Sequence, residues 1–252
     1  MKPTMVLDWN NKEIELVQSA GGVWAVVNPY DNLITTDCEP WPQSEILQKL
    51  YKSRHEHTFK GDAQLHVTRH LSYYCDLQSL HSEDAITWSV FGSLKNSSVS
   101  NQERWIESFL GLMDISASVK HPHIYLWRRI PHPDTNCMGG PEIDVGIITS
   151  DTYIIIECKW LSKNRTTQGV CKNKDQISLR KEYIEKMRKR LLSTKAIIET
   201  IGISLYPDAF YKSFPASDQL KTTTWREICS IAEHPLADEV ERYYYWKTIY
   251  GL

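Results

Sequence analysis

Two apolar runs separated by two polar residues constrain this chain more than any other feature. EIDVGIIT, residues 142–149, is followed after Ser150-Asp151 by TYIIIECKW, residues 152–160. Such runs with so short a break between them predict an antiparallel β-hairpin. Ile154, Ile155 and Ile156 stand in a row, apolar at odd and even positions alike. A strand of that kind is covered on both faces, so the hairpin belongs inside a larger sheet with helices packed on it. Yet the second run ends in Glu157 and Lys159, and the first carries Glu142 and Asp144. Charge is costly to bury unless it is paired or bound to something.

The flanking segments supply the layers. In HSEDAITWSVFGSLKN, Ser82 is positioned as an N-cap, and Ile86, Val90, Phe91 and Leu94 recur at helical spacing. VSNQERWIESFLGLM reads as a second helix and HIYLWRRI, residues 123–130, as a strand. DQISLRKEYIEKMRKRLLS is a long helix with Ile177, Ile184, Met187 and Leu191 on one face. KAIIETIGISL, residues 195–205, is a further strand, and TTWREICSIAEH and LADEVERYYYWKTIY close the chain as helices. The order is helix, strand, hairpin, helix, strand, helix, which predicts an α/β core with a mixed central sheet flanked by helices. Residues 1–60 read as short strands and turns, then a helix from Ser44, and form a small N-terminal elaboration. Residues 61–252 are expected to form the main domain, with its core at about 80–205 and helices after it.

Composition sets outer bounds. The chain has 252 residues, 41% hydrophobic and 24% charged, an ordinary globular balance with material for a sizeable core. No run has the length of a membrane span, and MKPTMVLDWNNKEIEL lacks the apolar stretch of a signal peptide. Six cysteines occur without CxxC spacing, which points away from a disulfide or zinc framework and toward the cytoplasm. His55, His57, His121, His123 and His132 lack a second ligand pair at zinc spacing. The net charge is −2, but residues 159–195 hold 12 Lys/Arg against 3 Asp/Glu. That segment is either a solvated helix face or a patch that attracts phosphate backbones.

The hairpin concentrates chemistry. Strand side chains alternate faces, so Tyr153, Ile155, Glu157 and Lys159 share one face, and Glu142, Asp144 and Gly146 share another on the partner strand. Pairing around Ser150-Asp151 puts Asp144 roughly opposite Glu157 to Lys159, where facing Cβ atoms lie about 4.5–5.5 Å apart. Two carboxylates so close raise each other's pKa, and a divalent cation removes the conflict. Mg²⁺ takes oxygen ligands, one or two of them carboxylates. The Cys158 backbone carbonyl would add a third if the strand bends. A bound metal, two acids and a lysine are what phosphodiester hydrolysis needs. A plain cross-strand salt bridge would use the same residues.

These residues resemble the PD-(D/E)XK nuclease superfamily, whose fold is restriction-endonuclease-like. The motif reads PEIDVGIITSDTYIIIECKW: Asp144, then Glu157-Cys158-Lys159, within a resemblance covering about residues 80–205. It implies that Asp144, Glu157 and the Cys158 carbonyl bind Mg²⁺, with Mn²⁺ as a substitute, and that Lys159 orients or deprotonates the attacking water. It assigns Glu83, on the helix before the sheet, an outer-shell or second-metal role; an acid favoured by the helix dipole would also stand there. Gln176 and Arg180, one turn apart, and Lys163, Arg165, Lys172 and Lys174 would contact nucleic-acid phosphates. Pro141-Glu142 stands where the family has its proline and acid, and the matching acid is Asp144, two residues on.

The expected function is metal-dependent hydrolysis of DNA, in bacterial or phage defence, as a restriction or effector nuclease with other defence-system subunits as partners. Cutting both strands with one site per chain would suggest a homodimer, by analogy. Two alternatives stay open: a non-catalytic DNA-binding or assembly subunit, and a nuclease for RNA or branched DNA.

Overall fold

The computed structural model describes residues 4–18, 22–51, 75–130, 142–162, 176–195, 197–210 and 220–252. In chain order these form β1 (Thr4–Leu7), β2 (Glu13–Gln18), β3 (Trp24–Val26), α1 (Ser44–Tyr51), α2 (Glu83–Asn96), α3 (Val99–Leu112) and β4 (His123–Arg129). There follow β5 (Glu142–Ile148), β6 (Thr152–Lys159), α4 (Gln176–Leu192), β7 (Ile197–Ser204), β8 (Lys221–Thr224), α5 (Trp225–Cys229) and α6 (Ala237–Tyr250). The chain divides into two compact units, Met1–Asn96 with Pro235–Leu252, and Ser97–His234. The sequence suggests a break near residue 60 instead; in the structure α2 and the C-terminal α6 group with the N-terminal segment.

In the first unit β1, β2 and β3 form a separate antiparallel sheet in that order. β2 alternates, burying Ile14 and Leu16 while exposing Glu13 and Glu15, as a sheet wet on one face should. Ser82 caps α2 as its position predicts: its hydroxyl accepts from the Ala85 N–H at 3.1 Å. On α6, Glu239 accepts hydrogen bonds from Trp9, Asn10 and Thr36, tying the last helix to the first strands.

Lys247 of α6 is wholly buried, and burial pushes its pKa down to about 7. Between about 7 and its ordinary value of 10.5 the folded chain binds fewer protons at this residue than the unfolded chain. Its contribution to stability is therefore complete above that window and is lost as pH falls toward 7. Lys247→Met is expected to raise stability at pH 7 by about 1–3 kcal/mol. It should also flatten the rise of stability with pH across that window. Urea melts of both proteins at several pH values test this, and parallel pH profiles would refute it.

The second unit holds a five-stranded mixed sheet, ordered β4-β5-β6-β7-β8. β4, β5 and β6 run antiparallel in sequence; β7 joins β6, and β8 joins β7, in parallel. The predicted hairpin forms, with Ile148 opposite Tyr153 and Val145 opposite Ile156. Every residue of central β6 is buried, which is why its apolar run is continuous. Each wholly buried isoleucine there is worth at most about 3 kcal/mol of transfer free energy. α4 makes the crossover from β6 to β7 and packs Tyr183, Ile184 and Met187 against Tyr125, Tyr153, Ile155 and Ile198.

β8 is a strand the sequence reading did not separate from the helix after it. KTTT is only four residues long, too short to show a period. Thr224 ends the strand and also caps α5, its side chain accepting from the Glu227 N–H while Glu227 returns a bond to the Thr224 backbone.

Candidate active site

The two strands of the hairpin stop pairing where the charges begin. The last β5–β6 partners toward that end are Val145 and Ile156. Beyond them Asp144 Oδ2 accepts from the Cys158 N–H at 2.8 Å. A carboxylate thus takes the place of a ladder carbonyl. Opposite Asp144 on β4 stands Trp127, between the pairs Leu126–Val145 and Arg128–Ile143. Trp127 has φ 51°, left-handed backbone that a bulky residue rarely adopts. The next residue, Arg128, holds its guanidinium over the Tyr125 ring, 5.2 Å from the centroid.

Glu157 is the centre of the cluster and is wholly buried. Lys159 Nζ donates to Glu157 Oε1 at 2.6 Å and to the Cys158 carbonyl at 2.8 Å. The lysine is 3% exposed. The Arg180 guanidinium, also wholly buried, lies against the other carboxylate oxygen, Oε2, as an ion pair. The same Arg180 Nη2 donates to the Glu142 carbonyl. Trp225 Nε1 anchors the strand end by donating to the Lys159 carbonyl at 2.9 Å. Burial is the largest influence on Glu157 and raises its pKa; Arg180 lowers it, Asp144 raises it and Lys159 lowers it, and the net displacement is upward.

The donors suit a hard divalent cation. Asp144, Glu157 and the Cys158 carbonyl would offer oxygen atoms to it, and they are linked through Lys159 and the Cys158 N–H. Two carboxylates are what Mg²⁺ usually takes from a protein, with water and phosphate oxygens completing its shell. Among the described residues no group of three or more His, Cys, Asp or Glu side chains gathers to hold a metal ion.

The structure brings together Asp144, Glu157, Lys159, the Cys158 carbonyl and Arg180. Arg180, expected to face the site, is wholly buried against Glu157. Glu142 contributes its carbonyl. Glu83 opens α2, in the first unit. The α4 helix begins at Gln176. Lys163, Arg165, Lys172 and Lys174 lie outside the described residues. Among those residues, no helix is long and apolar enough to cross a membrane. No protein family, curated protein or solved structure matches this chain.

Proposed function

We propose that this chain is a Mg²⁺-dependent endonuclease that hydrolyses DNA, built on a restriction-endonuclease-like core and related to the PD-(D/E)XK nucleases. One observation carries the reading: Asp144 and the Glu157-Lys159 pair converge at one end of a mixed sheet, on adjacent strands. A wholly buried Glu157 beside a half-buried Asp144, with a lysine in contact, is a costly arrangement for a purely structural role. Mg²⁺, when bound, would lower the pKa of a water and neutralise charge on the phosphate. Lys159, fixed by Glu157 and the Cys158 carbonyl, orients the attacking water and faces the charge that grows on the phosphate. Arg180 holds Glu157 from its other oxygen. Lys163, Arg165, Lys172, Lys174 and Gln176 supply phosphate contacts, and Glu83 an outer-shell carboxylate, on the family resemblance alone. A role in bacterial or phage defence, with partner subunits, rests on the same resemblance.

Purified protein is expected to nick or linearise plasmid DNA with Mg²⁺ or Mn²⁺ and to stop on chelation. A panel adding RNA, single-stranded DNA and branched DNA fixes the substrate class, because shape and groove contacts select the substrate and the hydrolytic residues do not. Inertness on the whole panel with both metals would sink the reading. A non-catalytic DNA-binding or assembly subunit is the second reading. It is favoured by Glu157 having both oxygens against cations of its own chain.

A further inference from the structure

At the end of the sheet where the acids gather, the β6–β7 ladder closes on Lys159 opposite Ser204. The two strands run parallel, so both deliver their following residues to that same end. Two residues past Ser204 stands Tyr206, 49% exposed. Two past Lys159 stands Leu161, 36% exposed. A single exposed apolar side chain is ordinary on a protein surface. Tyr206 is set apart by how it is held. Its carbonyl accepts from the Ser204 hydroxyl at 2.7 Å and from the Ala209 N–H at 3.1 Å. Ser204 is wholly buried. The Phe210 ring lies so close over Gly202 that a Cβ there would come within 2.7 Å of it. The turn that carries Tyr206 is thus tied down at both ends, while its side chain is open to solvent. One strand spacing and two residues of chain put its Cα at most about 12 Å from that of Lys159.

The opposite flank carries cations. β4 ends in Arg128 and Arg129, both exposed, in register with Ile143 and Glu142. Arg128 is one step along the ladder from the residue opposite Asp144. In sheet order, this end presents two arginines on β4, Asp144 on β5, Glu157 and Lys159 on β6, and Tyr206 just past β7. Three strand spacings, about 14 Å, separate the first strand from the last. Arginines take phosphate oxygens and fix the path of a nucleic-acid backbone. An aromatic ring offers its face to a base, and every base has a face to offer. A base inside a duplex is already stacked and paired, and turning it out has a cost that a single strand does not bear.

We infer that Tyr206 stacks on an unpaired base of single-stranded DNA whose phosphates lie along Arg128 and Arg129, so that the site prefers a single strand to a duplex. The inference rests on the nuclease reading proposed above and names the form of its substrate. Tyr206 binds and takes no part in hydrolysis. Its preference is for an unpaired base of any kind, because stacking does not read hydrogen-bonding edges.

Fluorescence anisotropy on the full chain tests this in EDTA, where nothing is cut, with a labelled oligothymidylate and the duplex it forms with oligodeoxyadenylate. Wild type should bind the single strand at least about tenfold more tightly than the duplex. Tyr206→Ala should weaken single-strand binding about 5- to 100-fold, the worth of one stacked base, and change duplex binding less than about twofold. Tyr206→Phe, which keeps the ring, should bind like wild type. Salt separates stacking from charge. Tyr206→Ala should leave the slope of log affinity against log salt unchanged, whereas Arg128→Ala should reduce it by about 0.7. Wild type that binds the single strand no more tightly than the duplex overturns the inference, and so does single-strand affinity untouched by Tyr206→Ala. Should the alanine variant not fold, the wild-type comparison decides alone. Single-strand binding through Tyr206 without cleavage of any DNA keeps this inference and removes the catalytic reading. Cleavage of DNA by a protein that binds both forms equally does the reverse.

Discussion

Replacing Lys159 by alanine is expected to slow phosphodiester cleavage by about 10²- to 10⁴-fold, the usual worth of a positioned proton-handling group, and to leave the protein folded. The fold should survive because the contacts that hold the strand end do not need the ammonium. Trp225 Nε1 donates to the Lys159 backbone carbonyl, which alanine retains. β6 pairs with β7 through Lys159 and Ser204 by backbone alone. Glu157 keeps Arg180 as its counter-charge, so no buried carboxylate is left unpaired. What disappears is the ammonium in contact with both Glu157 and the Cys158 carbonyl. Initial rates on supercoiled plasmid, beside thermal melts of both proteins, separate the two effects. A variant that melts like wild type and cuts within a fewfold of its rate would remove Lys159 from the catalytic set. Lys159→Arg is not expected to rescue, because a planar fork does not fill the place of a compact ammonium.

The sequence made the hairpin legible because β-branched runs and a two-residue turn leave few other solutions. Ile148 opposite Tyr153 follows from that turn. The same logic set Asp144 near Glu157, and the two do share a site. It could not show how, because strict alternation describes a ladder that continues, and this one ends at Val145–Ile156. The Cys158 N–H that the ladder leaves behind is what fixes Asp144. Nor does anything in HIYLWRR signal that Trp127 takes positive φ. The pairing of Arg180 is hidden for a different reason. Its pairing with Gln176 by helical spacing suggested a polar face. Counted from Ile177, however, it sits three residues on, with Ile184 and Met187 at seven and ten. That is the apolar stripe, and a lone arginine on it is a buried cation in need of an acid. The acid is Glu157.

Adding one methyl group at Gly146 is expected to be the most damaging small substitution near the site. A Cβ there would stand 2.0 Å from Tyr125 Cζ and 2.4 Å from its hydroxyl oxygen. Gly146 and Tyr125 are direct partners across β4 and β5, so the ring lies over the glycine by register and not by chance. The ring has little freedom to retreat. Its hydroxyl is 2.7 Å from that of Tyr153, Arg128 lies over its face, and Tyr125 is 7% exposed. Gly146→Ala must therefore move the ring, the strand or both, at a cost of about 3 kcal/mol. Because Asp144 is two residues along the same strand, any strand shift is passed to the cluster, and activity should fall with stability. Urea denaturation of Gly146→Ala, Tyr125→Ala and the double variant isolates the cause. Removing the ring opens the space the new methyl needs, so the double variant should be more stable than the two single losses predict, by about 1 kcal/mol or more. Losses that simply add would show that the Tyr125 ring is not what excludes a side chain at 146. The close approach of the two strands would then need another explanation.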